Sequence, residues 1–494
     1  LVDATGSVRS EPRLGDPGQC PSLHRSSAHN VQSGGDIAPE SFYELSPLQH
    51  GILFHVLYSP ESAEYLQQFT LRITGNFHVA SLKAAWKVLL RRHSALRASF
   101  TWRGRSHPHQ VIHPNVNLDW RSHDWRTLTT QALDRKFGEL LEADKCEGIN
   151  LEKAPLMRVT VIQIADDQHW LLWTYHHLIL DGWSLNLAMS ELFQSYRGES
   201  GESEDVLFGD TRDFFDYIRY LRNRDATFEE SFWRRYLAGF VSSTSLPYLT
   251  EKETVAAIRS TGPCETIERA IDEHVEQALR RLCREAALTP NTVIAGAWSL
   301  LLGLYASSKD VVFGLTVSGR SARISGVERI IGNLINTVPV RFRIDRALSI
   351  GTWLSELQQS LTEVIEYEHS SLMDVQRWSE VPGGMPLISS ILVFDHALPT
   401  CISHPSLTIT DLSLLERISH PLTLTVVSGG KFNLQLDYRA DLFSREAMTL
   451  ILQRLALIIE SMVTPRGRVT DVVRRAAMES EHIGQADGRR NCSS

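Results

Sequence analysis

A histidine pair, an aspartate and a glycine lie close together between residues 176 and 182. His176 and His177 are preceded by apolar residues and followed by Asp181 and Gly182. An imidazole in such a place can move a proton near neutral pH. Asp181 could lock the loop, and Gly182 could let a substrate approach the backbone closely. Alone, this pattern is weak evidence, because a histidine among apolar residues is usually packed and hydrogen-bonded.

The flanking residues predict the elements that position this motif. The run from His169 to Tyr175 leaves no polar face and predicts a buried strand. After Ser184, residues near helical spacing predict a helix: Leu185, Leu187, Ser190, Leu192 and Phe193. The histidines therefore lie where a strand ends and a helix begins, which is a common place for functional residues.

The composition predicts an acidic globular protein with room for two cores. The chain has 494 residues, is 43% hydrophobic and carries a formal net charge of -8. This charge argues against a nucleic-acid surface, and we expect neither a signal peptide nor membrane association. The longest apolar run, Val293 to Ala306, is too short to span a bilayer and predicts a buried helix. Six scattered cysteines predict neither a metal site nor a disulfide framework, which favours a reducing, cytoplasmic compartment.

Segments without periodicity divide the chain. Residues 1–38 and 479–494 predict disordered tails, and the leucine at position 1 suggests processing or excision from something larger. A polar stretch at 197–206 predicts a connector between an N-terminal lobe, 39–206, and a C-terminal lobe, 207–478.

Strands and helices alternate within both lobes. In the second lobe, Asp272 is expected to cap a helix that has Val275, Leu279 and Leu282 on one face. The other predicted elements are a helix at 81–93, a hairpin at 157–175 that turns at 165–168, a helix at 289–305, a strand at 311–317 and a helix at 446–462. This alternation predicts α/β sandwiches with helices against sheets.

A series of segments resembles, in order, the motifs of the condensation domains of nonribosomal peptide synthetases, which share the fold of chloramphenicol acetyltransferase. Residues 176–182 match the HHxxxDG motif in full. The other segments that resemble family motifs are 45–55, 92–100, 213–217, 232–237, 317–320, 331–337, 367–376 and 438–443. The resemblance covers roughly residues 40–478, and chance hardly supplies all of these motifs in this order.

The resemblance implies an α/β fold of two chloramphenicol-acetyltransferase-like lobes, each a mixed sheet with helices, in a V-shaped pseudodimer with a central tunnel. The second lobe would carry a floor loop at about 317–331 and a latch at about 397–421. The implied reaction transfers an acyl or aminoacyl group from the phosphopantetheine thioester of a donor peptidyl carrier protein to an amine. The acceptor would be tethered to an acceptor carrier protein or be a small soluble molecule. No bound cofactor and no acyl-enzyme are implied, and we expect a monomer.

The resemblance assigns the proton-handling role to His177, which would take the nucleophile's proton or orient the amine. His176 is expected to point elsewhere and to serve packing. Asp181 would be structural and pair with an arginine, for which Arg97 is the first candidate and Arg158 the rival.

The same resemblance suggests residues that surround the tunnel. Gly182 would expose its backbone N–H to a developing oxyanion or leave room for the acceptor arm. We prefer the second interpretation, in which the absence of a side chain leaves room for the acceptor. Trp183, Ser318, Asn336 and Thr337 are the expected tunnel residues, although a strand-end cap explains the last two equally well.

Two positions depart from the family pattern. His50 stands where many members have an acidic residue, and Asn333-Leu334 replaces the usual bulky pair. We expect neither to touch the proton-handling residues, and both to bear on substrate identity. Arginines at 219, 222, 224, 234 and 235 could form a dock for an acidic carrier protein, although basic positions on helices are more often a solvated face.

Several alternatives stay open. One is an ester-forming condensation onto a hydroxyl acceptor, and another is a CoA-dependent acyltransferase of the same superfamily, which segments 331–337 and 367–376 disfavour. Trp183 and the residues after it argue against an epimerisation domain. The intact motif argues against a noncatalytic recruitment module of the same fold. Segments 45–55 and 367–382 most resemble domains that accept D-configured donors.

Overall fold

The structure is a computed structural model that describes residues 41–58, 65–196, 212–258, 260, 262–396, 402–415, 420–429, 431–463 and 467–488. The predicted N-terminal tail and the connector at 197–206 lie outside the described residues. The helices are α1 (Pro47–Tyr58), α2 (Val79–Arg92), α3 (Thr130–Glu147), α4 (Gly182–Ser195), α5 (Phe214–Arg222), α6 (Ala226–Leu237), α7 (Glu251–Ile258), α8 (Glu273–Ala286), α9 (Pro290–Tyr305), α10 (Ile350–Ile365), α11 (Leu372–Trp378), α12 (Arg445–Met462) and α13 (Val469–Gly488).

The strands form one small and two large sheets. They are β1 (Ser41–Glu44), β2 (Leu66–Gly75), β3 (Ala98–Thr101), β4 (His109–Ile112), β5 (Asp119–Asp124), β6 (Met157–Ala165), β7 (Gln168–His176), β8 (Cys264–Ala270), β9 (Asp310–Val317), β10 (Asn336–Arg343), β11 (Ile391–His396), β12 (Ile402–Ser403), β13 (Leu407–Leu415), β14 (Leu422–Ser428) and β15 (Asn433–Arg439). The small sheet has the order β1-β4-β3, and each large sheet has six strands with its own hydrophobic core. This confirms the predicted two-lobed α/β fold.

The first large sheet has the order β12-β13-β2-β7-β6-β5 and contains the predicted hairpin. β6 and β7 pair antiparallel, with Met157 opposite Tyr175, and the chain turns between Ala165 and Gln168 as predicted. β7 is central, and its continuous apolar run is buried because strands flank it on both sides. Helices α2 and α4 contact one another beside it, and the rings of Trp86 and Trp173 meet edge to face at 4.8 Å.

The second large sheet has the order β10-β9-β11-β14-β15-β8. Its three middle strands, β9, β11 and β14, run parallel, while β10, β15 and β8 pair antiparallel. Helix α9 is almost wholly buried, as its apolar run predicts. Asp272 lies at the N-cap position of α8, but only its backbone carbonyl bonds to the first turn, so its side chain is not the predicted cap.

Two segments predicted for the second lobe pack against the first. β13, in the latch region, pairs with β2 and thereby extends the first sheet, because the free edge of β2 presents unpaired backbone groups. Helix α5 and part of the floor loop place Phe214, Phe215, Ile330 and Ile331 in the first core. Elements that follow residue 206 therefore complete the sheet and the core of the first lobe.

The C-terminal end also differs from the prediction. Helix α13 continues to Gly488, although residues 479–494 were predicted to be a tail. The sequence after Arg474 contains Ala476, Ala477, Met478, Glu479 and Glu481, which favour helix even without a long apolar stripe. Across the described ranges, no single helix is long and apolar enough to cross a membrane. The consecutive helices α8 and α9 together have sufficient length and apolar composition, but they are bent by 111° at their junction.

Candidate active site

The turn that follows β7 is held on both sides by backbone hydrogen bonds. The His176 N–H donates to the Leu156 carbonyl at 3.0 Å, and the His177 N–H donates to the Tyr65 carbonyl at 2.8 Å. Because successive residues of an extended chain face opposite sides, the two imidazoles point in different directions. His176 is buried, whereas His177 is partly exposed and lines a cavity between the lobes.

The hydrogen bond of the His177 ring defines its tautomer. Its Nδ1 lies 2.8 Å from the Leu180 carbonyl oxygen, which can only accept, so Nδ1 carries the proton. In the neutral ring, Nε2 then holds the free lone pair. Burial lowers the pKa of His177, and the bond to Leu180 and the charge of Asp181 oppose this in part. The imidazole is therefore neutral at physiological pH and can accept a proton at Nε2.

His176 has a different environment. Its Nδ1 accepts the Leu178 N–H at 3.2 Å, and it is not among the residues that line the cavity. Burial, followed by the neighbouring His177, lowers its pKa to about 3. These contacts are those of a packed histidine that stabilises the turn, which agrees with the expected structural role.

Asp181 pairs with Arg320. The two terminal nitrogens of the Arg320 guanidinium donate to the two carboxylate oxygens of Asp181 at 3.0 and 3.2 Å. The Arg320 side chain is 6% exposed and the Asp181 side chain 0%. Asp181 also accepts the backbone N–H groups of Ser184 and Leu334 at 2.8 and 2.9 Å. Burial acts to raise the pKa of Asp181, but Arg320 and these N–H donors outweigh it and hold the pKa below its usual value. The aspartate thus caps α4 and ties the motif to the second lobe.

The predicted partners of Asp181 are wrong. Arg97 donates instead to the carbonyl of His113, and Arg158 pairs with Asp144 at 2.5 Å. Arg97 belongs to a segment that resembles a family motif, but its side chain points to the backbone just after β4. Arg320 reaches Asp181 because the floor loop folds back over the first lobe.

The expectation that Asn333 touches no proton-handling residue is also wrong. Its Nδ2 donates to the His177 carbonyl oxygen at 2.5 Å, and the neighbouring Gly332 carbonyl accepts the Asp181 N–H at 3.2 Å. The floor loop therefore holds the backbone of the motif through both bonds. His50 and Asn333-Leu334 are not among the cavity-lining residues.

Gly182 begins α4 and faces the cavity. A Cβ added at this residue would meet only the Asp395 carboxylate, at 3.9 Å, so the position is open towards the second lobe. Trp183 is 42% exposed, donates from Nε1 to the Glu328 carbonyl at 2.9 Å and lies under the Arg320 guanidinium, 5.3 Å from its ring centre. That this space receives a substrate stays a prediction.

The remaining predicted tunnel residues all line the cavity. Ser318 is exposed, Thr337 is half-buried, and Asn336 is buried. The Asn336 side-chain amide donates to the carbonyls of Glu368 and Ser370, both at 2.8 Å. Asn336 therefore fastens the segment before α11 to β10, while Ser318 and Thr337 offer hydroxyl groups to an occupant.

The cavity measures about 580 Å³ and is bounded by both lobes. This volume lies within the usual range of small-molecule pockets, roughly 300–1,000 Å³. The sequence interpretation missed several of its polar residues: His55, Gln67, Asp395, His420, Thr423 and Thr425. His55 could have been found from the helical spacing of Leu48, Gly51, Ile52 and His55, whereas the others become neighbours only through sheet pairing.

The predicted basic dock is largely neutralised within the protein. Arg219 pairs with Asp216, Arg224 with Glu229, and Arg234 with Glu230. Arg219 and Arg234 are exposed, so a solvated, ion-paired face explains them, whereas the Arg224–Glu229 pair is largely buried. Within the described ranges, no group of three or more His, Cys, Asp or Glu residues is arranged to hold a metal ion.

Comparison with known proteins reveals extensive similarity. The Condensation domain family model matches residues 39–472. One of the linear gramicidin synthase proteins of Brevibacillus parabrevis is 35% identical over 436 residues, which is 88% of this chain and 6% of that protein. Another protein of the same synthase is 32% identical over 456 residues, 90% of this chain and 9% of that protein. The chain therefore spans less than a tenth of the length of these relatives.

Solved structures show the same fold. The starter condensation domain of rhizomide synthetase superposes with a TM-score of 0.71 at 18% identity, covering 87% of this chain and 96% of that one. At this identity, the likeness concerns the fold alone.

Proposed function

Because this chain belongs to the condensation-domain family, we propose that it transfers an acyl or aminoacyl group from a carrier-protein phosphopantetheine thioester to an amine. The observation that carries the proposal is His177, whose unprotonated Nε2 is available in a cavity bounded by both lobes. The relatives are parts of linear gramicidin synthase, and this similarity supports the proposal that the substrates are bound to carrier proteins.

The proposed reaction uses this geometry. The acceptor nitrogen forms a bond to the thioester carbonyl carbon, and the carbon–sulfur bond breaks. The amine proton passes to His177 Nε2 and then to the departing thiolate, so the imidazole is regenerated. Holding both arms end to end converts the encounter into an intramolecular step, an effect worth roughly 7–11 kcal/mol. His177 adds proton transfer or orientation of the amine.

Asp395 supports an amine rather than a hydroxyl acceptor. Its carboxylate lies in the cavity wall beside Gly182, where the acceptor arm has room. An α-amine has a pKa near 8 and is mostly an ammonium ion at neutral pH. A carboxylate attracts this ion, which releases one proton to water and then attacks as the free amine. An alcohol gains no comparable attraction, so the wall favours amide formation over the ester alternative.

The proposal is tested by presenting aminoacyl groups, both on a carrier protein and as CoA thioesters, to amine and alcohol acceptors. Products are identified by mass spectrometry. We expect amides from the carrier-bound donors. Esters alone would support the hydroxyl-acceptor alternative, and products from CoA donors alone would support the CoA-dependent one. Absence of product from every combination would support a recruitment module.

Asp395→Asn is expected to raise the KM for an amine acceptor about twofold to fivefold, the range of a solvent-exposed charge pair. The KM for an alcohol acceptor should not change, because no charge attraction is lost. Steady-state kinetics with both acceptors measures this, with Asp134→Asn on α3 as an exposed control. An equal rise for both acceptors would contradict the charge argument.

The acid limb of the pH–rate profile is expected to lie below pH 6.5. Burial lowers the pKa of His177, so the ring stays neutral as the pH falls through the usual histidine range and charges only at lower pH. Loss of activity therefore begins when the pH falls through this lowered pKa. Single-turnover rates with an acceptor amine much less basic than histidine keep the acceptor's own titration out of the profile. A break at or above pH 6.5 would argue against His177 as the base.

A further inference from the structure

One wall of the cavity is a face of the second sheet. β11 and β14 run parallel, with Ile391 opposite Thr423 and Val393 opposite Thr425. All four residues line the cavity, as does Asp395 further along β11. Since alternate residues of a strand share one face, this wall is a ladder that begins at Thr423 and ends at Asp395.

The Thr423 end of this ladder contains polar atoms without partners. Thr423 is 1% exposed, and its Oγ1 has no hydrogen-bond partner among the residues that the structure describes. Within the same described part, Nδ1 of the adjacent His420 also lacks a partner. Buried polar groups are normally paired, so two such atoms beside one cavity indicate that an occupant pairs with them. Rotation about the Cα–Cβ bond between staggered rotamers gives the hydroxyl more than one direction in which to meet that occupant.

His55 of the first lobe completes this cluster. It lies on α1, lines the same cavity and interacts electrostatically with His420. Its ring centre is 6.4 Å from that of Tyr65, whose carbonyl accepts the His177 N–H. The cluster therefore draws on both lobes and lies on the Tyr65 side of His177.

The cluster is polar but uncharged. Burial, and then His55, lowers the pKa of His420 to about 4, and burial also lowers the pKa of His55. At neutral pH both rings are neutral and, with Thr423, supply hydrogen-bond donors and acceptors without a full charge. Such a set suits a hydroxyl or carboxamide group better than a carboxylate or an ammonium ion.

The two ends of the ladder are too far apart to contact the same side chain of a substrate. Asp395 lies four positions after Ile391, the residue opposite Thr423, which corresponds to about 13 Å along a strand. This exceeds the reach of one amino-acid side chain. With the acceptor amine beside Asp395 and Gly182, the Thr423 end is left for the acyl donor.

We propose that His420, Thr423 and His55 form a specificity site that recognises a hydroxyl or carboxamide side chain on the donor aminoacyl group. The assignment rests on the proposed condensation, because that reaction defines which substrate is the donor. The three residues do not take part in proton transfer; they select the group that His177 acts on.

The test uses isosteric donor pairs on one carrier protein with one amine acceptor: threonyl against valyl, and asparaginyl against leucyl. We expect the protein to favour the polar member of at least one pair in kcat/KM by about tenfold, the ratio that one good hydrogen bond provides. Thr423→Val and His420→Phe should each remove the preference, by lowering kcat/KM for the polar donor more than kcat/KM for the apolar donor. Thr408→Val, at an exposed strand position, is the matched control and should keep it.

The outcomes separate this inference from the proposed function. Equal use of both members of each pair, or a preference that survives in both variants, would overturn the specificity site while leaving condensation intact. If the same pairs are presented as acceptors with one donor, a polar preference found only there would overturn the donor assignment. If no donor reacts, the proposed condensation fails, and calorimetric binding of pantetheine amides of the same pairs still tests the site. Because Thr423→Val removes an unpaired hydroxyl, its Tm should stay equal or rise, which separates lost recognition from lost folding.

Discussion

Replacing His177 with alanine is expected to lower condensation turnover by roughly 10²–10⁴-fold, the usual contribution of a general base. The ring is held by Leu180 with Nε2 free, and no other side chain of the motif is placed to replace it: His176 is buried and Asp181 is paired with Arg320. Single-turnover measurement with a loaded carrier and saturating acceptor gives the rate of the chemical step. The loss should be larger for an alcohol than for an amine, because an amine is already partly deprotonated near neutral pH.

A matched variant and a folding measurement make this result interpretable. His123→Ala removes an exposed histidine of β5 and should leave the rate unchanged. Circular dichroism and Tm should show that the His177→Ala protein is folded, since the ring lies at the cavity surface. A folded His177→Ala protein with an unchanged rate would reduce the residue to scaffolding and remove the observation on which the proposed function depends.

Breaking the Asp181–Arg320 pair is expected to destabilise the protein by roughly 3–5 kcal/mol, because removing one partner leaves the other as an unpaired buried charge. Both Asp181→Ala and Arg320→Ala should show this loss in chemical denaturation. The double variant should lose less than the sum of the two single variants, and the difference measures their interaction. Activity should fall with stability, because Asp181 also holds Ser184 and Leu334 beside the His177 turn.

A surface ion pair provides the control. Arg103 and Glu152 lie 3.7 Å apart with side chains 75% and 40% exposed, and replacing either should change the free energy of unfolding by no more than about 1 kcal/mol. Additive losses in the Asp181–Arg320 cycle would show that the two side chains are not coupled in solution.

The Asp181–Arg320 pair makes a pH-dependent contribution to the free energy of unfolding, and the sign of this dependence can be predicted. The folded-state pKa of Asp181 is depressed, so its stabilisation is fully present above the unfolded pKa of about 3.9. It is lost as the pH falls through the lower folded pKa. The stability gap between the protein and its Asp181→Asn variant should therefore narrow only below about pH 4. A gap that narrowed near neutral pH would implicate another group.

The local structure of this protein was readable from the order of its residues. The hairpin of β6 and β7, the buried helix α9 and the helix that begins after Asp181 follow from apolar periodicity and turn residues, which act over short distances along the chain. The order of the motifs likewise indicated the family, and with it the two lobes. The hairpin and the helices depend on neighbours within one or two elements, so a single sequence is enough to predict them.

The contacts that make the site were decided by tertiary structure. Asp181 pairs with Arg320, 139 residues away, rather than with Arg97, because the floor loop folds onto the first lobe. β13 joins the first sheet because the edge of β2 is free, and Asp395 and Thr423 share a cavity wall because β11 pairs with β14. Periodicity states which face of a strand is apolar, but not which strand lies beside it. The choice among distant partners is made by packing and by the pairing of buried charges and backbone groups.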